Sequence, residues 1–233
     1  MAVILAIFVC FVVQKTMDNF VDRLGRLDAC AVSDALDKLG LQGAVTGIHR
    51  LSTDRRISGR VVTVKLEPDD GRPAASRHLC TTAVEAAQRG EVIVVEQRTG
   101  IDAAGWGGNL SLGAKLRGIA GVIIDGPARD VDEGTLHDFA VFARDHTSRT
   151  ARGRIVEVGT NVPITVGDVA VSPGDYVVAD GSAVVFVAKD NVERVLEAAE
   201  AIATRESVMV DLLRKGTPIS QVMGRSYETM LKR

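Results

Sequence analysis

Arg129 and Asp130 stand side by side at the end of the apolar run Gly121-Val122-Ile123-Ile124-Asp125-Gly126-Pro127-Ala128. Upstream lies the glycine-rich stretch Gly105-Trp106-Gly107-Gly108-Asn109-Leu110. Arginine offers a planar fork of donors that matches a carboxylate. Aspartate offers hard oxygen, the ligand that magnesium or manganese takes along with several waters. Gly107 and Gly108 let a ligand approach the backbone closely. A helix starting near Leu110 leaves unpaired N–H groups at its first turn, and its dipole favours an anion there. A 2-oxo acid could chelate a divalent ion through its carboxylate and keto oxygens, and the ion would stabilise enolate charge during carbon–carbon cleavage. Each part also has an ordinary reading. An Arg-Asp pair can be a surface salt bridge, and a glycine loop before a helix can be a plain connection. Neither the dinucleotide spacing G-x-G-x-x-G nor the Walker Gly-Lys-Ser/Thr is present.

The elements that must position these residues can be read from periodicity. Residues 91–96 and 121–125 are short Val/Ile-rich runs that predict buried strands, with a helix over 110–117 between them. A strand, helix and strand in that order form a right-handed parallel crossover. Both strands then end on one sheet edge, where ligands collect in open α/β sheets. The loop 97–109 and the turn 126–130 should therefore face one cavity. The remaining pattern predicts helices over 18–39, 78–89, 135–139 and 192–213, with Gly40 and Gly90 as stops. It predicts strands over 57–66, 140–143, 155–158, 164–166, 169–171, 176–180 and 183–188, and a final short helix over 218–231. Residues 68–71 read as a turn and 145–153 as a polar loop. The expected domain map is an apolar extension over 1–17, one α/β domain over 18–213 and a tail over 214–233.

Composition narrows the function. The chain has 233 residues, enough for a substantial core in one domain. A net charge of -2 gives no global positive field for nucleic acid or anionic membrane, and aromatic content of 4% argues against a base-stacking surface. Cys10, Cys30 and Cys80 are odd in number and widely spaced, which predicts free thiols and a reducing, cytoplasmic location. The apolar stretch 2–13 is too short to span a bilayer and lacks the features of a signal peptide. It is read as a start placed upstream of Met17, or as a segment packing on a neighbour, with no membrane role. His78-Leu79-Cys80 is too isolated for a zinc motif. His137 and His146 are candidate acid–base groups, or ordinary loop histidines.

Gly107-Gly108-Asn109-Leu110, a helix, and then Gly121 to Val131 resemble the RraA-like family. So do Val32-Ser33-Asp34-Ala35-Leu36, Val141-Phe142-Ala143-Arg144 and Val171-Ser172-Pro173-Gly174-Asp175-Tyr176-Val177-Val178-Ala179-Asp180. The similarity spans roughly residues 20–205. The family holds metal-dependent 4-hydroxy-4-methyl-2-oxoglutarate aldolases and ribonuclease-regulating proteins. The resemblance implies an α/β fold of swivelling β/β/α type, a sandwich domain with a C-terminal helical appendage. It implies a homotrimer or hexamer with sites between subunits. It also implies that Gly107, Gly108, Asn109, Leu110 and Arg129 bind the pyruvyl part of a 2-oxo acid, and that Asp130 binds Mg2+ or Mn2+. The implied activity is a metal-dependent lyase releasing pyruvate, with oxaloacetate decarboxylation as a side reaction. The alternative is a non-catalytic regulator of an RNA-processing nuclease, in which the position of Asp130 is often not acidic. The chain departs from many family aldolases at Gly108, where they carry an acid, and at Ala179-Asp180-Gly181-Ser182-Ala183, where an acidic cluster is common. Glu206 stands about where some of them use a glutamate from a neighbouring subunit's C-terminal helix as a further metal-site group. A solvated helix face is its other reading.

Overall fold

The structure is a computed structural model and describes residues 19–71 and 77–224. A nine-stranded sheet organises it. Its strands run β1 (Ala44–Val45), β11 (Val184–Val187), β10 (Tyr176–Ala179), β3 (Ile57–Pro68), β4 (Val92–Glu96), β5 (Gly121–Ala128), β6 (Ala140–His146) and β2 (His49–Arg50) in spatial order. β7 (Ile155–Thr160) also pairs with β3, while β8 (Ile164–Val166) and β9 (Val169–Val171) form a separate hairpin. β3 holds the sheet together. Ile57–Arg60 pairs antiparallel with β10, Val61–Lys65 pairs parallel with β4, and Val64–Pro68 pairs with β7 across an irregularity at Lys65/Leu66. One long strand serving three neighbours curls the sheet into a half-barrel. This is the mixed α/β architecture, with a C-terminal helix, that the resemblance implies.

β3, β4, β5 and β6 are mutually parallel. β4 pairs with β5 from Val92↔Gly121 to Glu96↔Asp125, so the expected strand–helix–strand unit is formed. The intervening helix is α3 (Gly108–Leu116), after α1 (Ala29–Leu39) and α2 (Thr81–Ala86). Side chains alternate across a sheet buried on both faces. Ile93, Val95, Val122 and Ile124 pack with Trp106, Leu110 and Phe139 on one side. Val92, Val94 and Ile123 pack with Phe142 and the β8–β9 hairpin on the other. A third cluster seats α1 and the long α5 (Val192–Arg214) on β10 and β11, through Val32, Leu36, Val195 and Leu196 among others.

Several expectations change. The helix predicted over 18–39 is interrupted at 26–28, because Asp28 caps a new helix by accepting from Ala31 N–H at 2.7 Å. The helix predicted over 78–89 contracts to α2. β5 continues through Gly126-Pro127-Ala128, with its pairing to β6 shifted between Ile124 and Pro127, so the turn falls later, at Arg129–Asp130. The helix predicted over 135–139 instead occupies α4 (Val131–Leu136). β1 and β2 are too short to leave a period in the sequence. The segment over 1–17 and the second half of the predicted helix 218–231 lie outside the described residues; its first half holds α6 (Ile219–Val222). Cys30 and Cys80 are free thiols, and no described helix is long and apolar enough to cross a membrane.

Candidate active site

The glycine-rich loop and the end of β5 are laced together by backbone bonds. Gly105 N–H donates to Pro127 O and Arg129 N–H to Trp106 O, each at 3.0 Å. Trp106 anchors the loop from below. It is 1% exposed, stacks on Phe139 with ring centroids 6.2 Å apart, and donates from Nε1 to Ser111 Oγ at 2.9 Å. Ser111 in turn bonds Gly107 O, which ties the loop to the first turn of α3. The expected crevice results. A cavity of ≈ 260 Å³ is lined by Gly107, Gly108, Asn109, Leu110, Arg129 and Asp130, together with His78 and Arg152.

Asp130 adopts the left-handed conformation (φ 56), uncommon outside glycine but tolerated by aspartate. The conformation turns its carboxylate away from the helix it precedes and towards α3. Oδ2 accepts from Gly108 N–H at 2.9 Å and from Arg129 Nε at 3.2 Å. Asp130 thus satisfies one of the unpaired donors at the start of α3. Its Oδ1 has no protein partner among the described residues. Nε of Arg129 is committed to Asp130, which leaves its terminal nitrogens for a ligand; the side chain is 39% exposed.

Two glycines leave room for neighbouring carboxylates. A Cβ on Gly107 would lie 2.8 Å from Asp130 Oδ2, and one on Gly108 would lie 1.6 Å from Glu133 Oε2. The carboxylate of Glu133, from α4, occupies the space that a side chain at position 108 would take. An acid is therefore present beside Gly108, carried by a different element.

His78 sits between two cations. It is exposed at the cavity rim. Partial desolvation there, then the guanidinium groups of Arg152 and Arg129, hold its pKa below the ordinary 6.5, so the imidazole is neutral at neutral pH. Neither His137, at the end of α4, nor His146, exposed beside Asp145, lines the cavity. Glu206 does not line it within one chain either. It faces Asp28 and Asp34, and burial followed by their charges raises its pKa. His78, Arg152 and Glu133 were not identified as site residues from the sequence. In the sequence, His78 stands out only as part of His78-Leu79-Cys80, which is too isolated for a zinc motif. The other two come from a loop and a helix whose place depends on strand order.

The donor set fits a lightly coordinated hard ion. Among the described residues no group of three His, Cys, Asp or Glu side chains could hold a metal, which disfavours a closed zinc site. A free carboxylate oxygen on Asp130 suits Mg2+ or Mn2+ with water filling most positions; Glu133 packs against Gly108 and does not line the cavity.

Comparison with known proteins agrees with this architecture. Residues 29–186 match the RraA-like family, described as Aldolase/RraA. The chain is 26% identical over 208 residues to protein DlpA of Legionella pneumophila, covering 89% of this chain and 34% of DlpA, so it spans about a third of that relative. It is 31% identical over 187 residues to a Halalkalibacterium halodurans protein provisionally named as a 4-hydroxy-4-methyl-2-oxoglutarate aldolase, covering 78% of this chain and 82% of the relative. A crystal structure of an uncharacterized Pseudomonas syringae protein superposes with a TM-score of 0.79 at 28% identity, covering 89% of this chain and 98% of that one. With most of its sheet and the whole crevice inside the matched span, the chain belongs to the RraA-like family of aldolases and RraA proteins.

Proposed function

We propose that the chain is a divalent-metal-dependent carbon–carbon lyase that cleaves a 4-hydroxy-2-oxo acid to pyruvate and a second oxo compound. The convergence of Arg129, Asp130 and the Gly107–Leu110 backbone on one cavity carries this reading. Arg129 holds the substrate carboxylate through its free terminal nitrogens. Gly107 and Gly108 keep the loop low enough for the 2-oxo group to reach the backbone of Asn109 and Leu110. Asp130 would hold Mg2+ or Mn2+, with water completing the shell. When bound, the cation supplies Lewis-acid stabilisation of negative charge developing at the 2-oxo oxygen. His78, neutral and on the cavity wall, accepts the proton of the C4 hydroxyl at a ring nitrogen. The C3–C4 bond then breaks, its electrons pass to C3 and the carbonyl, and protonation at C3 gives pyruvate. Oxaloacetate would lose carbon dioxide by the same electron flow.

The working form in this reading is a cytoplasmic homotrimer or hexamer. Val208, Val210, Leu212 and Leu213 leave an exposed apolar surface on the last turns of α5, which supports a subunit contact. There Glu206 could reach a neighbouring cavity and join its metal site. Assay of purified protein with Mg2+ for pyruvate release, wild type against Asp130→Ala, tests the proposal. Equal release by both rejects the role given to Asp130. A second reading, a regulator that binds an RNA-processing nuclease, draws support from the family description, which joins RraA to the aldolases. Stable capture of a nuclease, with no metal binding by calorimetry, would favour it.

A further inference from the structure

Gln97 is the first residue after β4 and is 3% exposed. By alternation with Val95 it falls on the sheet face that carries Trp106. Its carboxamide is wedged between two glycines. A Cβ on Gly105 would lie 2.3 Å from Gln97 Oε1, and one on Gly126 would lie 2.9 Å from Gln97 Cβ and 3.0 Å from Cδ. Gly105 belongs to the glycine-rich loop and Gly126 to β5. One side chain therefore fills the space between the loop and the strand.

The two ends of the carboxamide meet different surroundings. Nε2 donates to Ala103 O. Oε1 is buried and has no partner among the described residues. Exchanging the two atoms would set an oxygen against Ala103 O, so the donor is the end at Ala103 and the acceptor is the end at Gly105. A buried amide oxygen without a donor costs stability, and an apolar side chain of similar size avoids that cost. A glutamine at such a position points to a role other than packing.

The carbonyls of the loop show what that role is. Ala103 O accepts from Gln97 Nε2, Gly105 O from Cys80 Sγ at 3.5 Å, Trp106 O from Arg129 N–H at 3.0 Å and Gly107 O from Ser111 Oγ at 3.2 Å. A carbonyl oxygen facing an anion repels it. One committed to a donor within the protein leaves the loop's N–H groups to meet the anion. Gln97 makes the first of these bonds, where the chain enters the loop, and its other end abuts Gly105.

We propose that Gln97 is a positioning residue for the candidate site. It touches no ligand; by holding Ala103 O and propping Gly105 it sets the height at which the Gly107–Leu110 backbone meets a 2-oxo acid. The assignment rests on the 2-oxo acid reading of the loop, but not on cleavage.

Trp106 is the chain's one tryptophan, so its fluorescence reports the loop without any ligand. Gln97→Leu exchanges the orphan on Oε1 for one on Ala103 O, so it should melt near wild type. Its Trp106 emission should nevertheless shift to the red and become more open to acrylamide quenching. Calorimetric titration with pyruvate in the presence of Mg2+ should show affinity falling about tenfold, as displacement of a positioned binding group does. Gln97→Met fills the same space without a donor and should behave alike, which keeps the test open if the branch of leucine disrupts folding. Wild-type emission and quenching in the variants, or wild-type pyruvate affinity in a variant whose Trp106 has moved, overturns the proposal. Loss of folding in both variants marks Gln97 as structural and overturns it too. Failure of the wild type to bind pyruvate rejects the 2-oxo acid reading, and this assignment with it. Failure to release pyruvate from any 4-hydroxy-2-oxo acid rejects the lyase alone and leaves this result standing.

Discussion

Asp130 Oδ2 accepts from the backbone N–H of Gly108 at 2.9 Å, joining the turn after β5 to the first residue of α3. The carboxylate that the proposed chemistry needs is also a cap for the helix beside it. Structural and chemical roles can be separated by substitution. Asparagine keeps an oxygen for Gly108 but loses the charge; alanine loses both. Asp130→Asn should melt near wild type, whereas Asp130→Ala should lose about 1 kcal/mol, as a lost helix cap does. Both should lose pyruvate release by about 100-fold or more. Thermal melts and the coupled assay read the two effects independently.

Gly108 and Glu133 should be coupled. A Cβ at 108 lies 1.6 Å from Glu133 Oε2 and 3.1 Å from Glu133 Cβ, so rotation of the carboxylate relieves only part of the crowding. Gly108→Ala should cost about 1–2 kcal/mol. Adding Glu133→Ala should recover most of that, a departure from additivity that urea denaturation of the double-mutant cycle measures. Strictly additive losses would show that the two positions do not compete for space.

His78 sets an expectation for the acid limb of activity. Its folded pKa lies below 6.5 because partial desolvation and the guanidinium groups of Arg152 and Arg129 disfavour the charged ring. A base acts when deprotonated, so kcat/KM should hold as pH falls to 6.5 and decline only as pH passes through the lower folded value. Arg152→Met removes one of the two cations, so the limb should move up towards 6.5. A pH–rate profile of both proteins checks the direction of the shift.

Asp180 should contribute to acid stability. Burial raises its pKa, but N–H donors of Ala29, Ser182 and Ala183 and the charge of Arg56 outweigh it, and the net value falls below the ordinary 3.8. A depressed folded pKa contributes stability that is present above 3.8 and lost as pH falls through the folded value. Asp180→Asn should be less stable than wild type near neutrality, with the gap narrowing as pH drops below 3.8. Urea melts across that range measure the gap.

Much of the site was legible in the chain. The Val/Ile runs of β4 and β5, separated by a helix, can be joined in few ways, so the loops after them had to share an edge. That placed Gly107–Leu110 near Arg129 and Asp130 without coordinates. The turn falls later than its local signal, because Gly126 and Pro127 mark a break while pairing with β6 carries the strand through to Ala128. The predicted helix over 18–39 failed for a related reason. Asp28 in an apolar period looks like an exposed helical residue until Ala29 N–H is seen to be taken by Asp180, a residue far along the chain.

What the sequence by itself determined is therefore the parallel unit and the chemistry at its carboxyl edge, since local periodicity and turn residues suffice to build both. Only the tertiary structure decided what stands opposite. Arg152 rides on a loop tied to Ala104 and Asp102, His78 lies against it, and Glu133 fills the gap over Gly108. These contacts join segments far apart in the chain. Their geometry follows from the order of β3 to β7 and the closing of backbone bonds between loops, neither of which has a local signature.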